Sequence, residues 1–303
     1  MAISRSQLVK ELEPGLNALF GLEYKRYENQ HAEIYNEESS DRAFEEEVML
    51  SGFANAQVKG EGSGVSFDEA QETFTARYTH ETVALAFAIT EEAIEDNLYD
   101  RLASRYTKAL ARSMSNAKQV KSVEPLINGL PTADAFDSGD GVSLFNTSHP
   151  TVSGTFANTL ATQADLNETS LEQSLIDIAK MSDERGLRIA ARGVKMIIPS
   201  ELQFTAERLM KSQGRTSTAD NDINAIVSMG MIPQGYRVNN YLTDSDAFYI
   251  ITDVPNGMKM FNRSPLKTAM EGDFDTGNVR YKARERYSFG VSDPRGIFGV
   301  EGA

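Results

Sequence analysis

Three histidines, His31, His80 and His149, are the side chains of this sequence best suited to acid–base or metal chemistry. They are too widely separated to form a recognised zinc spacing, and none stands in an HExxH motif. His149 precedes Pro150 in a segment rich in turn-forming residues, where a loop histidine usually hydrogen-bonds to backbone. The histidines therefore predict neither a metal centre nor a catalytic one.

The carboxylates also favour structural roles. Asp134, Asp137 and Asp140 have a DxxDxxD spacing, but they lack the alternating D-x-D-x-D-G ligands and the closing Glu of a calcium loop. A solvated loop is the expected structure there, and the acidic run within residues 33–47 is interpreted as a solvated face. Neither segment predicts a bound cofactor.

Other catalytic signatures are missing from the sequence. There is no cysteine, so disulfides, thiolate metal ligands and cysteine nucleophiles are excluded. There is no GxSxG motif and no GxxxxGK[ST] phosphate loop. Gly60, Gly62 and Gly64 form a GxGxG string, but they lie at a predicted hairpin tip and not between a strand and a helix. An acidic hydrolase with paired carboxylates stays open only as a minor alternative.

Composition limits the partners. The 303 residues are 40% hydrophobic, enough for one large domain or two interleaved ones. The net charge of −14 and the lack of a basic run argue against a nucleic-acid-binding surface. No signal peptide and no apolar window of about 18 residues is found, so we expect no membrane partner and folding in a cytoplasm.

One long helix is predicted from Thr90 to about Lys121. Thr90 supplies a hydroxyl N-cap, acidic residues occupy the first turns and basic residues the last. Apolar residues recur every fourth position, which predicts a packing face. The candidate packing residues are Ile94, Leu98, Leu102, Tyr106 and Leu110.

A long β-hairpin is predicted before this helix. Residues 48–59 and 65–89 indicate two strands, with the turn GEGSG at residues 60–64 between them. An isolated two-stranded ribbon is at best marginally stable in water. The hairpin therefore needs cover from elsewhere in the chain or from another subunit.

The remaining elements are mostly short. Residues 3–20 predict one or two short helices interrupted at Pro14 and Gly15. Residues 169–185 predict a helix capped by Thr169 or Ser170, with a possible Ser170–Gln173 capping box, and residues 200–210 predict another. Strands are expected at 195–199, 236–238 and 247–252, and alternation from Val279 to Phe289 predicts a closing strand.

The order of these parts resembles the major capsid proteins of tailed phages with the Hong Kong 97 fold, most closely the Mu-like major head subunits. The resemblance covers the chain from about residue 40 to its end. It rests on six segments in the expected order: FDEA at 67–70, YTHETVALAFAITEEAIEDNLYD at 78–100, SLFNTSHPT at 143–151, GVKMIIPSELQFTAERLM at 193–210, YLTDSDAFYI at 241–250 and DPRGIFG at 293–299.

The resemblance implies an α+β fold with an N-terminal arm, an extended hairpin (the E-loop) lying over the neighbouring subunit, a spine helix, a peripheral domain and an axial domain. E-loop contacts are then expected at Phe53, Lys59, Gly60, Gly62, Gly64 and Phe67. The implied division is arm 1–47, E-loop 48–89, peripheral 90–124, axial 125–168, peripheral helix 169–186, axial 187–261 and peripheral strands 262–303.

The implied function is structural, without enzymatic activity or cofactor. Hexamers and pentamers would form an icosahedral phage head around double-stranded DNA, without sequence-specific binding, together with a portal protein. Fewer than 50 residues precede the hairpin, so a separate scaffold or decoration protein, or no scaffold, is expected. Some relatives crosslink an E-loop lysine to an asparagine. Lys59 could take that role, or it could be a solubilising edge charge.

The location implied is the virion, after assembly in the host bacterial cytoplasm. An encapsulin-type compartment shell has the same fold and remains the main alternative.

Overall fold

The computed structural model describes residues 5–90, 92–93, 99–133, 135–214, 222–273 and 277–303. Five α-helices are interspersed among twelve strands in these ranges. The helices are α1 Arg5–Arg26, α2 Tyr99–Asn128, α3 Glu168–Lys180, α4 Gln203–Lys211 and α5 Ala225–Met229. The strands are β1 Asn36–Ser39, β2 Phe44–Leu50, β3 Glu72–Thr79, β4 Glu81–Ile89, β5 His149–Thr151, β6 Gly154–Phe156, β7 Gly193–Ile198, β8 Tyr236–Val238, β9 Phe248–Thr252, β10 Met258–Gly272, β11 Val279–Val291 and β12 Ile297–Val300.

The first sheet has the strand order β1-β10-β11-β4, and α1 and α2 lie on one of its faces. Strands β10 and β11 form a long antiparallel hairpin, β4 pairs antiparallel with β11, and β1 pairs parallel with β10. Tyr281 and Ala283 of β11 are buried in one cluster with Phe20 of α1 and Leu110 and Met114 of α2. The helices therefore bury one face of this sheet.

The second sheet has the order β12-β9-β7-β8 and is buried on both faces. Successive residues of a strand point to opposite faces. Accordingly, Ile198 lies in the cluster formed with α3 and α4, whereas Ile197 lies in the cluster on the other face. That second cluster also contains Leu126 of α2 and Met260 and Tyr287 of the first sheet, so one continuous core joins the two sheets.

Helix α1 differs from the prediction. Residues 5–26 form one helix that passes through Pro14, not one or two short helices broken there. Proline lacks an N–H and removes one helical hydrogen bond. Burial of Leu16 and Phe20 against α2 and β11 offsets that loss, because packing of an apolar face dominates helix stability in proteins.

The long helix is confirmed from Tyr99 onward and ends later than predicted, while residues 91 and 94–98 of its predicted start lie outside the described residues. Helix α2 extends seven residues beyond Lys121 and includes Pro125 in its last turn. The Thr90 hydroxyl accepts a hydrogen bond from the Ala93 N–H at 3.4 Å, as an N-cap does. In the described ranges, no helix is both long and apolar enough to cross a membrane.

Helix α3 was predicted to run from 169 to 185 and to belong with the peripheral elements. It begins after Asn167, which forms the capping box with Ser170 in place of the predicted Ser170–Gln173 pair, and it ends at Lys180. Its apolar face packs against the second sheet, because Leu171, Leu175 and Ile178 share a cluster with that sheet. Strand β12, also assigned to the peripheral part, pairs with β9 of the same sheet.

The hairpin is shorter than predicted. Only β2 and β3 are paired: Phe44 lies opposite Thr79 at one end of the ladder, and Leu50 lies opposite Glu72 at the other. Residues 81–89, predicted as the end of the second hairpin strand, instead form β4 of the first sheet. Local alternation indicates a strand but not its partner, and β4 gains more buried area beside β11 than on an isolated ribbon.

Candidate subunit interface

The base of the β2–β3 hairpin is fixed on the first sheet. The Tyr78 ring lies 4.8 Å from the Phe261 ring, and its hydroxyl is 2.5 Å from the Ser292 hydroxyl. Gly290 permits this approach, because a Cβ at that position would meet a Tyr78 ring carbon at 2.6 Å. Aromatic contacts and a buried hydrogen bond therefore hold the hairpin base in one orientation.

Polar groups strengthen the same contact. The Lys259 ammonium group lies 2.6 Å from Glu47 of β2 and 3.2 Å from Glu38. Burial acts to lower the pKa of Lys259, but hydrogen bonds to the two carboxylates outweigh it and leave the pKa raised. Because Lys259 is only 6% exposed, this ion pair is screened little by solvent.

His80 completes the base. Its two ring nitrogens each lie 2.9 Å from a hydroxyl, one of Ser40 and one of Ser288. Burial, followed by the positive charge of Arg286, lowers the pKa of His80. A neutral His80 therefore links the start of the hairpin to β11 by hydrogen bonds, a structural role.

The hairpin tip, defined as residues 51–71, extends beyond the paired strands. A turn closes at its end, where the Ser63 N–H donates to the Gly60 carbonyl at 3.1 Å. Gly62 has φ +79°, a conformation that favours glycine. The predicted glycine turn is thus confirmed, while the strands flanking it are replaced by irregular extended chain.

Apolar side chains of the tip lie in solvent. Phe53 is 61% exposed, Phe67 98% and Val58 100%, and Lys59 is exposed beside them. Burying an aromatic side chain of this kind contributes about 1.5–3 kcal/mol. The tip therefore carries apolar surface that the described part of its own chain does not cover.

The tip is nevertheless tethered at one point. The Asp68 carboxylate accepts a hydrogen bond from the Ala54 N–H at 2.6 Å, which joins the two sides of the tip. Arg185, in the loop after α3, donates to the Glu69 carbonyl and lies 3.9 Å from the Asp68 carboxylate. The hairpin thus runs from the first sheet toward the loop after α3.

The predicted packing face of the long helix is described only in part. Ile94 and Leu98 lie outside the described residues, as does the side chain of Leu102. Leu110 is buried in one cluster with Phe20 of α1 and Tyr281 of β11. Tyr106 is 49% exposed and its ring lies 5.8 Å from the Phe87 ring, tilted by 42°, so it is only partly in the core.

The chemically suggestive residues have structural roles. His149 is fully buried, with Nδ1 at 2.6 Å from the Asp140 carboxylate and Nε2 at 2.9 Å from Oδ1 of the Asn158 side chain. The Asp140 side chain is therefore buried in a hydrogen-bonded loop and not solvated as predicted. Asp137 caps the same loop by accepting from the Gly139 N–H, and Asp134 lies outside the described residues. Among described residues, no three His, Asp or Glu side chains are arranged to hold a metal ion.

The fold also creates a surface that the sequence analysis did not identify. On β11, cationic residues alternate with buried ones, so they share the face opposite the helices. We define the cationic face as the basic residues of this surface together with the alanines of β4 paired beside them. Its members are Lys267, Arg280, Lys282, Arg284, Arg286, Ala84, Ala86 and Ala88. A search for continuous basic runs misses such a surface, whereas a search for cations at two-residue spacing finds it.

Comparison with known proteins agrees with this architecture. A family model described as phage capsid protein matches residues 72–300. A search against curated proteins gave no match. Among solved structures, the capsid of a native GTA particle is 14% identical with a TM-score of 0.54, and the alignment covers 91% of this chain and 92% of that one.

Two further structures are similar at comparable levels. The capsid of Myoviridae phage XM1 is 12% identical with a TM-score of 0.52, and the alignment covers 89% of each chain. A virus-like particle from Pyrococcus furiosus is 11% identical with a TM-score of 0.52, and the alignment covers 94% of this chain and 98% of that one. At these identities the structures show a shared fold, of the Hong Kong 97 type.

The matched family segment runs from β3 to β12, so it includes α2, the whole second sheet and three strands of the first sheet, whereas β1, β2 and the hairpin tip precede it. The acidic hydrolase considered from the sequence is thereby set aside. The chain belongs to the phage capsid protein family, and it is a structural major capsid protein with the Hong Kong 97 fold, not an enzyme.

Proposed function

We propose that this chain forms the hexamers and pentamers of an icosahedral phage head, and that the hairpin tip makes the main contact between neighbouring subunits. The observation that carries the proposal is the tip itself, on which Phe53, Val58 and Phe67 are exposed by 61–100%. Apolar side chains grouped on one exposed segment commonly mark a protein–protein contact site. A neighbouring subunit supplies that partner, and each added neighbour buries more apolar area.

The contents of the shell and its accessory proteins follow from the same proposal. The head encloses double-stranded DNA without sequence-specific binding, receives DNA through a portal protein, and assembles in the host cytoplasm with a separate scaffold or decoration protein, or with none. The Mu-like head subunits are the proposed nearest subfamily. The six ordered sequence segments support that assignment.

An encapsulin-type shell is the second candidate, because it would use the same subunit fold. The match to a phage capsid family model favours the phage head. Neighbouring genes provide the discriminating observation: a portal or terminase gene indicates a phage head, whereas a cargo-enzyme gene indicates a compartment.

The contact proposal is tested with a double variant, Phe53→Ser with Phe67→Ser. We expect the wild-type protein to form closed shells, tubes or rings in electron micrographs and to elute early in size-exclusion chromatography. The double variant should remain dispersed, while its unfolding midpoint in urea stays unchanged because both rings are exposed. Wild-type assembly by the double variant would contradict the role of the tip.

The matched control on the same loop is Lys59→Ala, which removes the exposed cation and leaves the apolar groups. We expect this variant to assemble. It also tests the crosslink, since a covalent ladder in denaturing gels that appears with wild-type shells and disappears with Lys59→Ala would identify Lys59 as the bonded residue. If wild-type shells instead dissociate to single subunits in the denaturing gel, Lys59 forms no crosslink and is a solubilising charge at the hairpin edge.

A further inference from the structure

The cationic face is bare over most of its length. Lys267, Lys282 and Arg284 are exposed, and in the described part of the chain none of the three has an ion-pair partner. Arg280 pairs with Asp273 at 2.6 Å and lies opposite the exposed Glu271 in the strand register. Arg286 contacts two backbone carbonyls, each at 3.5 Å. In a chain of net charge −14, this concentration of positive charge stands out.

The arrangement costs the isolated subunit some stability. Lys267 lies directly opposite Arg284 in the register of β10 and β11. Like charges directly opposite each other on neighbouring strands are destabilising. An anionic partner seated on this face would relieve that repulsion, whereas water alone does so only in part.

The other half of the same sheet face is already covered by the chain's own hairpin. Residues 288 and 290 continue the even-numbered positions on β11, and residue 292 follows directly after the strand; all three contact His80 or Tyr78 of the hairpin base. Acidic Glu47 of that base pairs there with Lys259 of β10. An acidic hairpin on a basic sheet face is therefore a contact that this chain makes once within itself.

The chain's own tip does not reach the bare half. From the base, the hairpin crosses toward the loop after α3, where Asp68 and Glu69 contact Arg185. That direction leads away from residues 280–286. The bare half is thus left for a different molecule lying in the same layer as the hairpin.

The tip of a second copy matches this surface in chemistry. It carries exposed carboxylates at Glu61, Asp68 and Glu69 against the single cation Lys59. Its exposed rings, Phe53 and Phe67, require an apolar surface. The short alanine side chains of the cationic face provide one beside the charged residues. Arginine also packs well on aromatic rings, as Arg77 does on Phe44 at 4.1 Å in the hairpin base.

We infer that the cationic face is the receptor for the hairpin tip of the neighbouring subunit, with tip carboxylates on Lys267, Lys282 and Arg284 and tip phenylalanines over the β4 alanines. This inference rests on the proposed function, and it adds the surface that receives the tip. Cations two residues apart on β11 lie about 7 Å from each other, a spacing that separate side chains of an extended loop can match. Charge pairing sets the register and orientation of the docked tip, while the rings supply buried apolar area.

The test exchanges charges between the two surfaces. The face variant is Lys282→Glu with Arg284→Glu, and the tip variant is Glu61→Lys with Glu69→Lys. These side chains are exposed and none has an ion-pair partner in the described part of the chain, so all variants should keep the wild-type unfolding midpoint or exceed it. We expect each double variant to lose at least tenfold in shell yield by size-exclusion chromatography and electron microscopy. The chain carrying all four changes should recover most of that yield.

The control is Arg105→Glu with Lys108→Glu on the exposed side of α2, on the opposite side of the first sheet from the cationic face. It changes net charge by the same amount and should assemble like the wild type. Wild-type assembly by the face variant would overturn the inference, as would failure of the four-change chain to recover. Normal shells that no longer retain double-stranded DNA would also overturn it and would assign the face to phosphates.

The Phe53 and Phe67 variant keeps the two proposals separable. If it disperses while the face variant assembles, the tip is a subunit contact whose receptor lies elsewhere. If the Phe53 and Phe67 variant itself assembles, the proposed contact function fails first.

Discussion

The two sheets of this subunit differ in how completely the chain covers them. The second sheet is enclosed by apolar clusters on both faces, and Met196, Ile250 and Phe298 have no exposed surface. The first sheet is covered by helices on one face, and its other face is half occupied by the hairpin base and half bare. One sheet is complete within the subunit, and the other has a face available to a neighbour.

This contrast has a physical meaning for an assembling protein. A sheet closed on both sides contributes to the folding of the single subunit, since its apolar area is buried whether or not neighbours are present. An antiparallel sheet tolerates solvent on one face, so the first sheet can stay folded before a neighbouring subunit covers the face opposite the helices. Substitutions in the second sheet should therefore affect folding, and substitutions on the bare face should affect assembly.

The largest expected loss comes from Arg295, which lies just before β12 of the second sheet. Its guanidinium lies 2.5 Å from Glu184 and 3.3 Å from Asp293, and all three residues are buried. Arg295→Met would leave two buried carboxylates unpaired, which costs about 3–5 kcal/mol of unfolding free energy. Urea denaturation of the dispersed subunit measures it.

Arg237→Met is the matched control, because Arg237 is half exposed and its Glu33 partner is 3.5 Å away. A surface ion pair of this kind contributes at most about 1 kcal/mol. Equal losses in the two variants would show that the Arg295 network is no more important than a surface pair.

The next largest effect compares the sheets directly. Ile250→Ala in β9 removes a fully buried side chain and should cost about 2–5 kcal/mol of unfolding free energy. Leu85→Ala in β4 removes a side chain that is 46% exposed, so under about 1 kcal/mol is expected. Chemical denaturation of both variants gives the difference, and a larger loss for Leu85→Ala would reverse the proposed division between the sheets.

The sequence predicted the second sheet better than the first, and the reason is local information. Strand β7 and helix α4 have apolar patterns bounded by turn or cap residues, and both were found close to their predicted bounds. The pairing of β4 with β11 joins residues almost 200 positions apart, which no local pattern specifies. Helix α1 was mispredicted because packing against α2 outweighs the local cost of Pro14.

The candidate interface was predictable only in outline. Exposed apolar groups at the tip follow from a Gly-rich turn flanked by Phe53 and Phe67, which have no predicted core to enter. The receptor surface did not follow, because the basic residues of the cationic face come from β10 and β11 and become one patch only when these strands pair. Net charge conceals such a patch, since the acidic remainder of the chain dominates the total.

His31, buried beside Gln119 of α2, gives a pH-dependent test. Burial, followed by the charge of Lys118, lowers the pKa of His31 to about 4. Below pH 6.5 the unfolded chain binds a proton that the folded chain does not, so stability should fall as pH decreases from 6.5 to about 4. The loss from this residue is about 3 kcal/mol at 1.36 kcal/mol per pKa unit.

His31→Asn removes the titrating group and should flatten this part of the pH profile, whatever it costs at pH 7. Urea midpoints measured between pH 7 and pH 4.5 for both proteins provide the comparison. Parallel decreases in the wild type and the variant would assign the acid sensitivity to other groups.

The smallest expected effect is a gain, and it lies on the bare face. Arg284→Glu places a carboxylate directly opposite Lys267, so a repulsive cross-strand pair becomes attractive, worth about 0.2–1 kcal/mol in unfolding free energy. Lys282→Glu changes the charge equally, but its β10 neighbour is Ala269, so a smaller gain is expected. Urea denaturation of dispersed subunits at low salt measures both.

The same Arg284→Glu substitution should reduce shell yield, because the docked tip loses a cation. A variant that makes the subunit more stable and the shell less stable would show that this face serves assembly and not the folding of the single subunit. If Arg284→Glu instead lowers subunit stability below that of Lys282→Glu, the repulsion between Lys267 and Arg284 is already relieved within the chain. The cationic face would then carry no uncompensated charge repulsion for a neighbouring subunit to relieve.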